Sequence, residues 1–244
     1  MRRLPFAAAL RQMPALLARS VRCCHDRYNG RQAEEAEMSG YTLYWKPGTG
    51  SMVVESALRL IGVAFDEVLV DDASVRAKAE LVALNPAGKV PVLACATGPV
   101  IAESAAILLA LDDLFPETRL LPPHGTPAHS TAVQWLIFMA TNIYPAALRY
   151  YYPDRHTSQP TLEACEAIRQ QAGRDMSRDF AQLAAAVKGP FLLGQAMTIT
   201  DVYAAMLADW HDPAREIPEI AVLVNAVLQA PAVAEAWRHH GFGD

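Results

Sequence analysis

The chain has 244 residues, 52% of them hydrophobic and 19% charged, with a formal net charge of -5. That length suits one large or two modest domains around a sizeable core, and the acidic balance argues against a nucleic-acid partner, which asks for a clustered basic surface. No uncharged apolar run reaches the ~18 residues needed to cross a bilayer, so neither a transmembrane helix nor a membrane partner is expected.

Residues 1–38 stand apart. They hold seven Arg against four acids, so the remainder is about three charges more negative than the whole chain. Arg2, Arg3, Arg11, Arg19 and Arg22 are interleaved with Ala and Leu, and no acid precedes Asp26. The segment reads either as an extension ahead of a start at Met38 or as an organellar transit peptide; in both readings it lies outside the fold, disordered or targeting-like.

From there the elements follow in order. Tyr41-Thr42-Leu43-Tyr44-Trp45 is aromatic and β-branched and reads as a strand. Lys46 to Gly50 breaks it, and Ser51 is placed to cap a helix whose apolar positions Val53, Val54, Ala57, Leu58 and Ile61 keep the helical period until Gly62. Phe65–Val70 is the next strand, parallel to the first across a βαβ unit, and a helical piece from about Ser74 to Leu84 follows. Gly48-Thr49-Gly50 is not a nucleotide loop: the third glycine of a dinucleotide fingerprint would fall at Val53, and no Gly-Lys-Ser/Thr follows. It reads instead as a loop that lets backbone approach a ligand at a helix start.

Asn85-Pro86-Ala87-Gly88-Lys89-Val90-Pro91-Val92-Leu93 is the centre of the chain. Pro91, just before an apolar run, belongs at a strand start or turn. A cis bond there would free the backbone groups of Val90 to pair with an extended peptide laid along the sheet edge. Ala96-Thr97-Gly98 turns a hairpin into Val100-Ile101, and Glu103-Ser104 opens an apolar helix. Its exposed N–H groups attract a carboxylate, with the Ser104 hydroxyl beside them and Glu103 able to hold an ammonium. A free amino-acid terminus fits there; the alternative is that Glu103 and Ser104 simply begin the helix.

Beyond Phe115-Pro116, the Pro-rich stretch 118–127 reads as a linker, dividing the chain into domains at 40–117 and 128–244. Everything after it reads as helix: 128 to about 152, 161 to about 188, 198 to about 210, 218–229 and 231–240, with Pro218 and Pro231 suited to first turns. Thr198 and Asp201 form a capping box, with Met197 and Val202 as its hydrophobic staple. Asn142, Tyr144, Arg149, Tyr150, Tyr151 and Tyr152 make a cluster that either lines a pocket for an apolar molecule or records ordinary helix packing. Trp135, Trp210 and Trp237 are assigned to the core. The four cysteines, Cys23, Cys24, Cys95 and Cys165, show no pairing pattern, which suits a reduced, cytoplasmic setting. The seven histidines lack metal spacing, and His239 and His240 are expected to point to different sides of a helix, so no metal is expected.

The order of a Tyr-rich first strand, Pro47-Gly48-Thr49-Gly50-Ser51 before a helix, Asn85 to Pro91, and then Glu103-Ser104 resembles the cytosolic-type glutathione S-transferases over residues 41–241. The resemblance implies an α/β domain of thioredoxin-like fold followed by an all-α helical bundle domain, and a homodimer. It further implies glutathione as co-substrate, held by Lys89, Val90, Pro91, Glu103 and Ser104, and a small hydrophobic electrophile in a pocket that takes in Asn142, Tyr144 and Tyr151. In that family the first βα loop carries a Tyr, Ser or Cys that activates the thiol. Here Gly50 stands where bacterial members have cysteine, and Gly48 where another pattern has serine. Ser51 and Thr49 remain as the local hydroxyls and are the candidate catalytic residues; Tyr44 lies within the strand and reads as sheet packing. A non-catalytic glutathione-binding or scaffold protein of the same fold is the alternative.

Overall fold

The computed structural model describes residues 40–242, so the expectations for residues 1–38 lie outside the described residues. Four strands form one sheet: β1 (Tyr41–Trp45), β2 (Asp66–Leu69), β3 (Val92–Cys95) and β4 (Val100–Ala102), in the order β2-β1-β3-β4. β1 and β2 are parallel; β1–β3 and β3–β4 are antiparallel. Between and after them come α1 (Ser51–Ile61), α2 (Val75–Leu84) and α3 (Ser104–Leu114).

Strand alternation sorts the sheet's two faces. Tyr41, Leu43 and Trp45 enter the main core with α1 and α3. Tyr44 points the other way, against Val70, Leu81 and Val92 beneath α2, in keeping with its assignment to sheet packing. α1 starts one residue earlier than a Ser51 cap requires: Gly50 is the cap residue and Ser51 is already helical. Gly62, at φ 77°, closes the helix in the left-handed conformation that glycine adopts without steric cost.

The rest is helical: α4 (Pro127–Phe138), a π turn at Met139–Ile143, α5 (Tyr144–Tyr151), α6 (Leu162–Ala184), α7 (Ile199–Ala208), the short α8 (Asp212–Arg215), α9 (Pro218–Val227) and α10 (Pro231–His239). A thioredoxin-like sheet domain is thus followed by a helical domain, as the sequence predicts. The π turn interrupts what the sequence reads as one helix. Pro145 has no N–H for the carbonyl four residues back, and the N–H of Tyr144 reaches five residues back to Met139 O instead. Trp135, Trp210 and Trp237 are all buried.

Two buried carboxylates tie the elements together. Glu55, in the middle of α1, is fully enclosed. It accepts from Arg59 Nε at 2.7 Å, His239 Nδ1 at 2.9 Å and His240 Nε2 at 3.0 Å, which fastens α10 to α1. His239 and His240 therefore do not diverge: one uses its near ring nitrogen and the other its far one, and the carboxylate lies between them. Burial alone would push the Glu55 carboxyl up, but the hydrogen bonds from His240, His239 and Arg59 outweigh it and hold the group below its ordinary value. Asp201 closes the capping box at the start of α7. It accepts Thr198 N–H at 2.7 Å and the Thr198 hydroxyl at 2.8 Å on one oxygen, and Leu192 N–H at 2.7 Å on the other.

Glu55→Ala is expected to destabilise the protein by on the order of 3–5 kcal/mol, because it leaves the buried His240 and the half-buried Arg59 without their acceptor. A carboxyl lowered on folding adds stability that is present above its unfolded pKa and lost as pH falls through the folded one. Urea melts of the wild type should therefore lose this component below about pH 4, and melts of the variant should lack it. Thr198→Ala is expected to cost about 1 kcal/mol. Asp201→Ala should cost more, on the order of 2–3 kcal/mol, since three buried donors lose one acceptor. In denaturant melts the double variant should fall short of the sum, because the two residues form one unit.

Candidate functional site

The register of the sheet decides which loops meet. Tyr44 pairs with Val92, and Val92 with Ala102. The loop leaving β1, the segment entering β3 and the segment leaving β4 therefore share one end of the sheet. Gly50 and Ser104 are neighbours there, so that a Cβ on Gly50 would lie 3.2 Å from Ser104 Oγ.

Each predicted binding residue has a definite place. Lys89 is exposed, and its carbonyl accepts the Asn85 side-chain amide at 2.9 Å. The Val90–Pro91 bond is cis. Both residues precede the ladder, which starts at Val92. Glu103 is exposed and takes φ 68°, a left-handed conformation that costs a non-glycine residue on the order of 1–3 kcal/mol and occurs most at ligand clamps. It is the cap residue of α3, yet no side chain caps that helix, which leaves its first N–H groups for an anion. Ser104 is buried, its hydroxyl 3.1 Å from Tyr203 Oη.

The first βα loop departs from expectation. Thr49 Oγ1 donates its proton to Lys46 O at 2.7 Å. Ser51 Oγ lies 2.9 Å from Thr49 Oγ1, and since Thr49 has spent its only proton, Ser51 is the donor of that pair. Ser51 is also fully buried. The two hydroxyls expected to serve a thiol are thus committed to the loop itself, and neither proton faces the cleft. The group in front of α1 is the phenol of Tyr144, which accepts Gly50 N–H at 3.1 Å from 94 positions away.

Beside this contact lies a cavity of about 270 Å³, whose walls include Gly48, Thr49, Tyr144, Tyr151, Trp210 and Phe242. Tyr144 and Tyr151 both line this cavity. Asn142 is not: it is exposed, and its amide donates to Phe138 O at 3.0 Å and Thr141 Oγ1 at 3.1 Å. Residues two apart on a helix face different ways, so a Tyr144 in the pocket turns Asn142 out. Tyr144 meets Trp210 edge to face with centroids 5.2 Å apart, and Tyr151 donates to Trp210 O at 2.6 Å. Burial pushes the Tyr144 phenol up to about 12, so at neutral pH it keeps its proton. Trp210 and Phe242 escape sequence reading because both arrive from distant parts of the chain; the one local signal is Gly241, which ends α10 at φ 81° just before Phe242.

Two groups of metal-ligating side chains also occur among the described residues, Glu55 with His239 and His240, and Asp112 with His124 and His129. In the first, Arg59 occupies the carboxylate and hydrogen bonds account for both imidazole contacts. In the second, Asp112 accepts Leu121 N–H at 3.0 Å and approaches His124 at 3.1 Å, while His129 Nδ1 lies 2.9 Å from Pro122 O.

A sheet domain of this topology joined to a helical domain, with two helix starts around one cleft, defines a two-domain protein whose first domain is thioredoxin-like. Residues 51–114 match the family described as glutathione S-transferase, N-terminal domain. The chain is 26% identical over 206 residues to glutathione S-transferase GstA of Escherichia coli O157:H7, an alignment that covers 82% of this chain and 98% of that one. The structure of a glutathione transferase from Methylococcus capsulatus superposes with a TM-score of 0.71 at 28% identity, covering 82% of this chain and 98% of the other. A sphingomonad glutathione S-transferase complexed with glutathione gives 0.69 at 26% identity, covering 83% and 100%. Over more than four fifths of its length the chain is thus similar to glutathione S-transferases, in sequence and in fold.

Proposed function

We propose that this protein is a glutathione transferase: it binds glutathione across the end of the sheet, stabilises its thiolate at the start of α1 and directs it at a small apolar electrophile in the adjoining cavity. The observation that carries the reading is the convergence on one cleft of two helix N-termini with no side-chain cap, those of α1 and α3. In this reading the γ-glutamyl carboxylate lies on the first N–H groups of α3 beside Ser104, and its ammonium is held by Glu103. The peptide backbone runs past Lys89, Val90 and Pro91, and the cysteinyl thiol points toward the start of α1.

A thiol is a poor nucleophile at neutral pH, and the positive end of α1 favours its ionised form. On binding, the thiol proton leaves to solvent. The sulfur then attacks an electrophilic carbon, a C–S bond forms, and the leaving group departs with its electron pair. The cavity walls, mainly Tyr144, Tyr151, Trp210 and Phe242, suit an apolar partner. Cytoplasmic residence and a homodimer complete the proposal; among the described residues no single helix is long and apolar enough to cross a membrane.

Glu103→Ala and Ser104→Ala are expected to weaken glutathione binding by roughly 1.5–3 kcal/mol each, the value of a hydrogen bond to a charged group. Glu103→Ala should not lower the thermal midpoint, since no side-chain cap is lost. Calorimetric titration beside thermal melts separates the two effects, and unchanged affinity in both variants places the ligand elsewhere. Binding without turnover of any apolar electrophile would turn the reading toward a non-catalytic glutathione-binding protein.

A further inference from the structure

Which group meets the sulfur is decided by where the hydroxyl protons point. Around the start of α1, the Thr49 proton goes to Lys46 O, the Ser51 proton to Thr49 Oγ1 and the Tyr151 proton to Trp210 O. Tyr203 shares its hydrogen bond with Ser104. Tyr144 differs: its oxygen accepts Gly50 N–H, and among the described residues no acceptor takes its proton.

Two independent features build this arrangement. Gly50 makes room for the phenol, because a Cβ there would lie 3.1 Å from Tyr144 Oη and 3.3 Å from Tyr144 Cε2, closer than side chains ordinarily approach. The π turn at Met139–Ile143 sets the angular position of Tyr144 at the head of α5, and such turns recur at functional sites. The charged and titratable groups around the phenol are Glu103 at the start of α3, Tyr203 on α7, Tyr152 at the end of α5 and Asp209 across the cavity. Asp209 is already engaged by Trp237 Nε1 at 2.6 Å and Arg215 at 3.1 Å. The Tyr152 ring lies beneath the Arg155 guanidinium at 4.1 Å.

Resting on the glutathione reading above, we propose that Tyr144, supplied by the helical domain, is the catalytic residue that donates a hydrogen bond to the glutathione thiolate, in place of any hydroxyl of the first βα loop. Its oxygen is anchored by Gly50 N–H at the positive end of α1, and its proton points into the cleft. No covalent step involves it. The phenol stays protonated throughout, and the thiol proton is lost to solvent when glutathione binds. Tyr144 also lines the cavity, so the same ring that steadies the sulfur borders the electrophile.

The test is a pH titration of thiolate ultraviolet absorbance in the glutathione complexes of wild type, Tyr144→Phe, Ser51→Ala and Gly50→Ala. Tyr144→Phe, which keeps the ring, is expected to raise the apparent pKa of the bound thiol by about one unit, a tenfold loss of thiolate below that pKa. Its glutathione affinity at a pH where the bound thiol stays protonated should change by less than about twofold, since the peptide contacts remain. Gly50→Ala, which crowds the phenol, should shift the pKa in the same direction, and the double variant should show no further shift. Ser51→Ala should leave the thiol pKa in place. A wild type that forms bound thiolate while Tyr144→Phe leaves its pKa unmoved overturns this assignment alone, as does a shift confined to Ser51→Ala. A wild type that binds no glutathione overturns the glutathione reading and this assignment with it.

Discussion

The enclosure of α1 is the constraint on which the rest of the structure depends. Its first eight residues, Ser51 to Leu58, are all buried, including the polar Ser51, Glu55 and Ser56. A buried polar group without a partner costs on the order of 1–3 kcal/mol, and each of these has found one. Ser56 donates to Met52 O within the helix, Ser51 turns to Thr49, and Glu55 draws Arg59 and both C-terminal imidazoles onto itself. The last helix is thus placed by a carboxylate in the first. Phe242, just beyond that helix, comes to lie 3.6 Å from where a Gly48 side chain would begin, and so forms a wall of the cavity.

The same enclosure explains why the sheet domain and the helical domain meet at the start of α1. The cap residue of α1, Gly50, has no side chain; Thr49 Oγ1 accepts the N–H of Ser51 at 3.3 Å, and the N–H of Gly50 is met by Tyr144 from the helical domain. A residue with a Cβ at position 50 would crowd that phenol, and an α-helix without the π turn would carry Tyr144 at a different angle. Gly50 and the π turn above Pro145 are therefore two halves of one adjustment. Together they bring the Tyr144 phenol onto Gly50 N–H.

The sheet's end of the cleft is lined largely by backbone. The α3 N–H groups, the Val90–Pro91 segment and the left-handed Glu103 hold their peptide groups at fixed positions. Side chains enter mainly in the cavity beyond. There the aromatic walls are held by edge-to-face contact and by the hydrogen bond from Tyr151 to Trp210, which fixes their shape before anything binds.

The sequence by itself determined the parts of this protein that depend on local rules. The alternation of Tyr41 to Trp45, the period of α1 ended by Gly62, the hairpin at Ala96-Thr97-Gly98, the capping box of Thr198 and Asp201, and the proline-started helices at Pro218 and Pro231 all follow from neighbours a few residues apart. The strand start after Pro91 and the helix start at Glu103-Ser104 were legible for the same reason, since each carries its own local signal. Only the tertiary structure decided where protons point and which distant groups meet. Ser51 and Thr49 look available in sequence because a hydroxyl's acceptor is not visible there, and in the fold each is satisfied by its own loop. His239 and His240 look divergent on a helix until a buried carboxylate stands between them. Asn142 and Tyr144 look alike as pocket residues until the fold shows which of them faces in. Gly50 N–H and Tyr144 Oη lie 94 positions apart. No local pattern encodes that contact; it exists because packing a buried helix against a second domain leaves one N–H to be satisfied and one phenol within reach.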